Sequence, residues 1–233
     1  MKAIRIIASY AIDTIAARPG RKARTRTGGP ALWYQRYFRM QPVRFVISHG
    51  HQPGVAQIAL RQGHERGTLV KKPSAISLKR FQRADAFVVS TLADEFDLAS
   101  LATLQGLHCV DVQGYVRAAK GRGLKRVRIP DDIAQCFDIV KMTAHEKKWI
   151  AAKTLRIFKQ KILLVTQSAK PTIVFQHGRR FAVQPRHVAA ADTLGAGDTF
   201  FAAFVAAYVR KPEARKAVDI AMRATEKFLK GKQ

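Results

Sequence analysis

The sequence predicts an α/β fold of three layers, a doubly wound and mostly parallel sheet with helices on both faces, on three observations. Short runs rich in β-branched residues alternate with segments whose apolar residues recur at helical spacing. That alternation continues along the chain without an internal repeat or a low-complexity tract. The 233 residues, 47% of them apolar, suffice for one core without staples, so residues 1–233 are read as a single domain.

Strands are expected at "AIRIIASY" at the start, "VRFVIS" (43–48), "AFVVST" (86–91), "HCVDVQ" (108–113), "DIVKM" (138–142), "ILLVTQ" (162–167) and "TIVFQ" (172–176). Between them, "PGVAQIALRQG", "DLASLATLQG", "DDIAQCF" and "EKKWIAAKTLRIFKQK" carry apolar residues at helical spacing, with Gly or a basic residue near several ends. Two helices close the chain, "AGDTFFAAFVAAYVR" and "PEARKAVDIAMRATEKFLKG", with Pro212 suited to a first turn and Gly231 to a stop. The main irregular segment is 16–30, where Arg18, Arg21, Lys22, Arg24 and Arg26 lie between Pro19 and Gly28–Gly29 or beside them.

Forty-two Lys and Arg against sixteen Asp and Glu give a net charge of +26, a field that draws in anionic partners without naming them. Two cysteines, Cys109 and Cys136, stand at no metal or redox spacing, and no apolar run reaches membrane-spanning length. The basic opening segment has features of a transit peptide, but Asp13 interrupts its apolar part and the segment reads equally as a buried strand. A cytoplasmic protein with no membrane partner is expected.

The densest chemistry lies in "DTLGAGDTFFAAF", residues 192–204. Gly195, Ala196 and Gly197 leave their backbone N–H groups accessible, and the helix that follows adds its positive end, so the segment suits an oxyanion or a phosphate. Asp198, at the helix start, is placed to accept a proton from an attacking hydroxyl. Taken alone, "GAGD" also reads as a turn and an N-cap. No Gly-x4-Gly-Lys-Ser/Thr string is present, so the phosphate site is not a P-loop.

Across all thirteen positions this string resembles the C-terminal signature of the ribokinase-like sugar and nucleoside kinases, the PfkB family. The resemblance implies transfer of the γ-phosphate of ATP, with Mg²⁺, to a hydroxyl of a sugar, polyol or nucleoside. It makes Asp198 the base, Gly195, Ala196 and Gly197 the anion hole, and Asp192 and Thr193 neighbours of the phosphates. "GGPALW" is similar to the family's N-terminal Gly-Gly element, which assigns Gly28, Gly29 and the earlier Asp13 to the acceptor. "VDVQGYVR" is similar to a segment of some members, which adds Asp111, Gln113 and Arg117. "KMTAHE" resembles the Asn-x-x-Glu element, with Thr143 in place of Asn and Glu146 as the residue that organises magnesium-bound water. "LLVTQS" resembles the strand leading to the nucleotide loop, with Thr166 and Ser168 but no glycine.

In larger members of that family a β-structured lid closes over the acceptor. Here only 16–30 is read as a reduced lid hairpin, without later lid strands around "QGHERGTLVKKPS", so a rudimentary lid and a monomer, or a dimer not built on lid strands, are expected.

His49, His51 and His64 lack a Cys or carboxylate partner at metal spacing and read as loop histidines. No Gly-x-Ser-x-Gly elbow surrounds Ser90 or Ser168. The basic segments 71–83 and 118–128 suit either a solvated face or a phosphate backbone, so a catalytically degenerate, nucleic-acid-binding module is the alternative from a different functional class.

Overall fold

The computed structural model describes residues 1–16, 23–61, 64–78, 82–117, 125, 127, 129–186, 188, 190 and 192–232. In chain order the elements are β1 (Ala3–Ala8), β2 (Ala11–Ala16), β3 (Arg24–Gly28), α1 (Pro30–Phe38), β4 (Arg44–Ser48), β5 (Gly54–Arg61), β6 (His64–Lys71), β7 (Arg83–Ser90), β8 (Gln105–Asp111), α2 (Gln113–Val116), α3 (Asp131–Gln135), β9 (Ile139–Thr143), α4 (Ala152–Lys159), β10 (Ile162–Gln167), β11 (Lys170–Gln176), β12 (Arg179–Val183), α5 (Ala196–Arg210) and α6 (Ala214–Lys230).

Eight strands form the large sheet in the order β12-β11-β10-β9-β8-β7-β1-β4. From β4 to β10 every pairing is parallel, and the β11 and β12 edge is antiparallel. The period of two along each central strand sorts side chains between two cores. Ile4, Ile6, Val88, Cys109, Ile139 and Leu164 face the layer of α1, α5 and α6. Ile7, Phe87, Val89, Val110, Val140 and Leu163 face the opposite layer, which holds α3 and α4. The chain leaves β1 for β4 in one direction and for β7, β8 and β9 in the other, so the order reverses at β1, where open α/β sheets place their ligands.

A second sheet of four strands, β3-β2-β5-β6, stands beside the first. It corrects the expected rudimentary lid: the segment read as a hairpin at 16–30 supplies β3 and only the last residue of β2, and residues 17–22 of it lie outside the described residues. The segment "PGVAQIALRQG", expected as a helix, is β5, paired parallel to β2 and antiparallel to β6. Its apolar residues satisfy both periods, and strand pairing selects the period of two, with Ala56 and Ile58 buried and Gln57 exposed. The opening apolar run is likewise two strands rather than one, β1 in the large sheet and β2 in the small one. "DLASLATLQG" forms a short 3₁₀ turn over Leu98–Thr103. Helix α1 and strand β12 were not anticipated. Helix α1 begins at Pro30 behind Gly29 and buries Trp33, Tyr34, Tyr37 and Phe38.

Candidate active site

Strands β7, β8 and β9 carry a polar row at their carboxyl ends, with Ser90 paired in register to Asp111 and Asp111 to Lys141. By parity these three continue the faces on which Val88, Cys109 and Ile139 pack toward α5. Lys141 Nζ donates to Asp111 Oδ2 at 2.7 Å, and the two side chains are 3% and 1% exposed. Burial opposes the charge on Lys141, but the carboxylates of Asp111, Glu146 and Asp198 outweigh it and hold the ammonium above the usual lysine range. Ser90 Oγ donates to Asp198 Oδ1 at 3.5 Å. The buried Tyr34 hydroxyl is pushed well up, first by burial and then by Asp198 and Asp111.

Helix α5 opens directly above this row. Gly195 is its N-cap with φ 82°, a left-handed conformation that favours glycine, and a side chain there would run into the Trp33 indole. Ala196 N–H donates to the Thr193 carbonyl at 3.0 Å, so that amide is engaged in the turn. The Gly195 and Gly197 N–H groups take no backbone acceptor among the described residues, and they form a cradle at the positive end of the helix. A Cβ on Gly197 would lie 3.2 Å from Lys141 Nζ, which brings the buried ammonium up against the same cradle.

The small sheet supplies the facing wall. Arg26, Asp13, Ala56 and Leu69 form one registered row across its four strands. Asp13 is buried, and burial pushes its carboxyl up against the opposing pull of Arg26 and Arg117. A cleft of about 110 Å³ is enclosed between this wall and the end of the large sheet. Asp13, Gly29, Gln113, Arg117, Thr193, Gly195, Gly197 and Asp198, all singled out in the sequence, line it together.

The other candidates lie outside the cleft lining. Gly28 leaves room for the Asp13 carboxylate, which a side chain there would overlap. Asp111 is held by Lys141 and accepts from the Gln113 N–H at 3.1 Å. Asp192 accepts from the Leu194 N–H at 2.8 Å, Arg26 Nη2 at 3.3 Å and Lys232 Nζ at 3.1 Å. Thr143 and Glu146 hold each other, Thr143 N–H donating to Glu146 Oε2 at 2.7 Å and Glu146 N–H to Thr143 Oγ1 at 3.1 Å. Burial raises the Glu146 carboxyl and Lys141 opposes that rise. Thr166 Oγ1 donates to the Met142 carbonyl at 3.4 Å, and Ser168 sits in the two-residue turn between β10 and β11 with φ 55°.

Sequence reasoning did not single out Trp33, Leu92, Ala56, Ile58 and Leu69, which give the cleft its apolar lining. It also passed over Lys141, whose one signal was a charge at an inward position of the apolar strand "DIVKM". Among the described residues no three His, Cys, Asp or Glu side chains group to hold a metal ion. Magnesium carried by donor phosphates takes only one or two protein carboxylates, and Glu146 fits that smaller requirement.

A family model for the pfkB family carbohydrate kinases matches residues 42–226. The fold is shared with a sulfate complex of a pyrophosphate-dependent kinase in the ribokinase family, at 17% identity and TM-score 0.76 over 97% of this chain and 95% of that one. A pyrophosphate-dependent kinase of the ribokinase family, complexed with a pyrophosphate analog and myo-inositol, aligns at 18% identity and TM-score 0.75 over 97% and 94% of the two chains. Ribokinase from Thermotoga maritima aligns at 18% identity and TM-score 0.70 over 98% and 93%. A comparison with curated protein sequences finds no match. With its signature string at the start of α5 and a family match over most of its length, the chain belongs to the pfkB family of carbohydrate kinases.

Proposed function

We propose that the protein transfers the γ-phosphate of ATP to a hydroxyl of a small polyol or sugar held between the two sheets. The observation that carries this reading is the cleft itself, which gathers Asp13, Gln113 and Arg117 from separate segments against Gly195, Gly197 and Asp198. Asp13 and Gln113 offer hydrogen bonds to acceptor hydroxyls, and Arg117 adds a donor that also suits an anionic group. Asp198 takes the proton of the attacking hydroxyl as the new P–O bond forms and the bond to the leaving phosphate breaks. The Gly195 and Gly197 amides bear the charge on the transferring group's oxygens, with the Lys141 ammonium behind them. When bound, Mg²⁺ neutralises charge on the donor phosphates, and Glu146 is the residue that would hold its water ligands.

A pyrophosphate donor is the second reading. Thr166 donates to the Met142 carbonyl, the turn at Ser168 carries no glycine, and neither residue is among those lining the cleft, which favours considering a donor without a nucleoside. Two structures sharing the fold are of pyrophosphate-dependent kinases, which supports including that donor. A matrix of both donors against pentoses, hexoses, inositols and nucleosides, followed by phosphate-ester product, tests the reading. Acceptor-dependent product with one donor is the expected result, and a folded protein that makes none with either donor contradicts it.

A further inference from the structure

Lys232 follows helix α6, and neither the sequence signature nor the reaction above uses it. Its ammonium donates to Asp192 Oδ1 at 3.1 Å and to the Leu194 carbonyl at 2.5 Å. It lies 4.8 Å from the ring centroids of both Trp33 and Phe228, and these rings meet edge to face at 5.6 Å. The side chain is only 14% exposed, unlike a solvated surface lysine. Leu194 is gripped at both ends, its N–H by Asp192 Oδ1 and its carbonyl by Lys232.

The Leu194 carbonyl and the Gly195 N–H belong to one planar trans peptide, so they point in opposite directions. Lys232 does not line the cleft, whereas Gly195 does. A bond that draws the carbonyl toward Lys232 therefore turns the Gly195 N–H away from it and into the cradle. Resting on the phosphotransfer reading, we propose that Lys232 is a positioning residue for the phosphate cradle, its ammonium fixing the Leu194–Gly195 peptide so that the Gly195 amide is aimed at the oxyanion. Arg26, on the second oxygen of Asp192, ties the same turn to the small sheet.

The test compares Lys232→Ala and Lys232→Arg with the wild-type chain, with thermal unfolding to establish that each is folded. Calorimetric titration with inorganic pyrophosphate reads the cradle without any acceptor. In Lys232→Ala, binding should weaken about tenfold and kcat fall about as much, while the acceptor KM stays within about threefold. Lys232→Arg should retain most of both, and added methylammonium should restore Lys232→Ala without affecting the wild type. A folded Lys232→Ala protein that binds pyrophosphate and turns over like the wild type overturns the inference. Wild-type protein that binds pyrophosphate yet phosphorylates no acceptor refutes the kinase reading alone, and the binding arm then decides the role of Lys232. Wild-type protein that binds no pyrophosphate overturns the cradle and this inference together.

Discussion

Asp13 is 3% exposed and its Oδ2 has no hydrogen-bond partner among the described residues, while burial raises its carboxyl above the usual range. A carboxyl raised on folding contributes stability that is fully present below its unfolded-state value and is lost as pH rises through the folded-state one. Asp13→Asn should therefore stabilise the protein by about 1 kcal/mol at neutral pH, with the gain vanishing below about pH 4. Acceptor turnover should fall in the same variant, since the carboxylate is lost from the cleft wall. Thermal unfolding at the two pH values checks this, and an equal difference at both would show that the desolvated carboxylate is not the cause. Lys141 has the opposite character. Lys141→Met leaves Asp111 as an uncompensated buried charge and should cost about 3–5 kcal/mol in urea unfolding, most of it recovered by adding Asp111→Asn. Asp13, Gln113, Arg117 and Asp198 all line the cleft. Gln113, Arg117 and Asp198 were singled out in the sequence because each belongs to a local string, and Asp13 because it follows the first strand. Lys141 was not, because its meaning depends on Asp111 in the neighbouring strand.

Helix α5 has the bounds expected from the sequence, Ala196–Arg210, because a glycine turn followed by a continuous apolar run allows few alternatives. Its first turn makes a graded prediction. Gly195→Ala forces a side chain into φ 82° and against Trp33, which should cost about 2 kcal/mol or more and lower the melting temperature by several degrees. Gly197→Ala meets only the end of a lysine side chain at 3.2 Å and should be milder. Parallel thermal scans of the two variants give the order, and equal losses would remove the conformational argument. The small sheet was the least legible element. β5 carries an apolar pattern shared by helix and strand, and β6, "HERGTLVK", offers little apolar alternation. β5 is fixed by pairing with β2, a contact about forty residues away that no local window contains, and β6 in turn by pairing with β5.

Across the molecule, the two sheets divide the work: the large sheet ends in Ser90, Asp111 and Lys141 beneath the cradle, and the small sheet brings Asp13 over it. The fold class followed from alternation of periods along the chain, whereas the size of the cleft wall emerged only from long-range strand pairing. A net charge of +26 gives the chain a field that favours encounter with anionic ligands, the proposed phosphate donor among them. The donor kcat/KM should fall several-fold between about 50 and 500 mM salt while kcat changes little, because screening acts on encounter more than on the buried site. A salt-independent kcat/KM would remove steering from the explanation. Whether Asp198 is the base of the proposed phosphotransfer is decided by acceptor-dependent phosphorylation in wild type and Asp198→Asn under the same donor. Asp198→Asn should remain folded and bind donor while losing at least about a hundredfold in kcat; a folded Asp198→Asn protein that turns over within tenfold of the wild type would contradict that role.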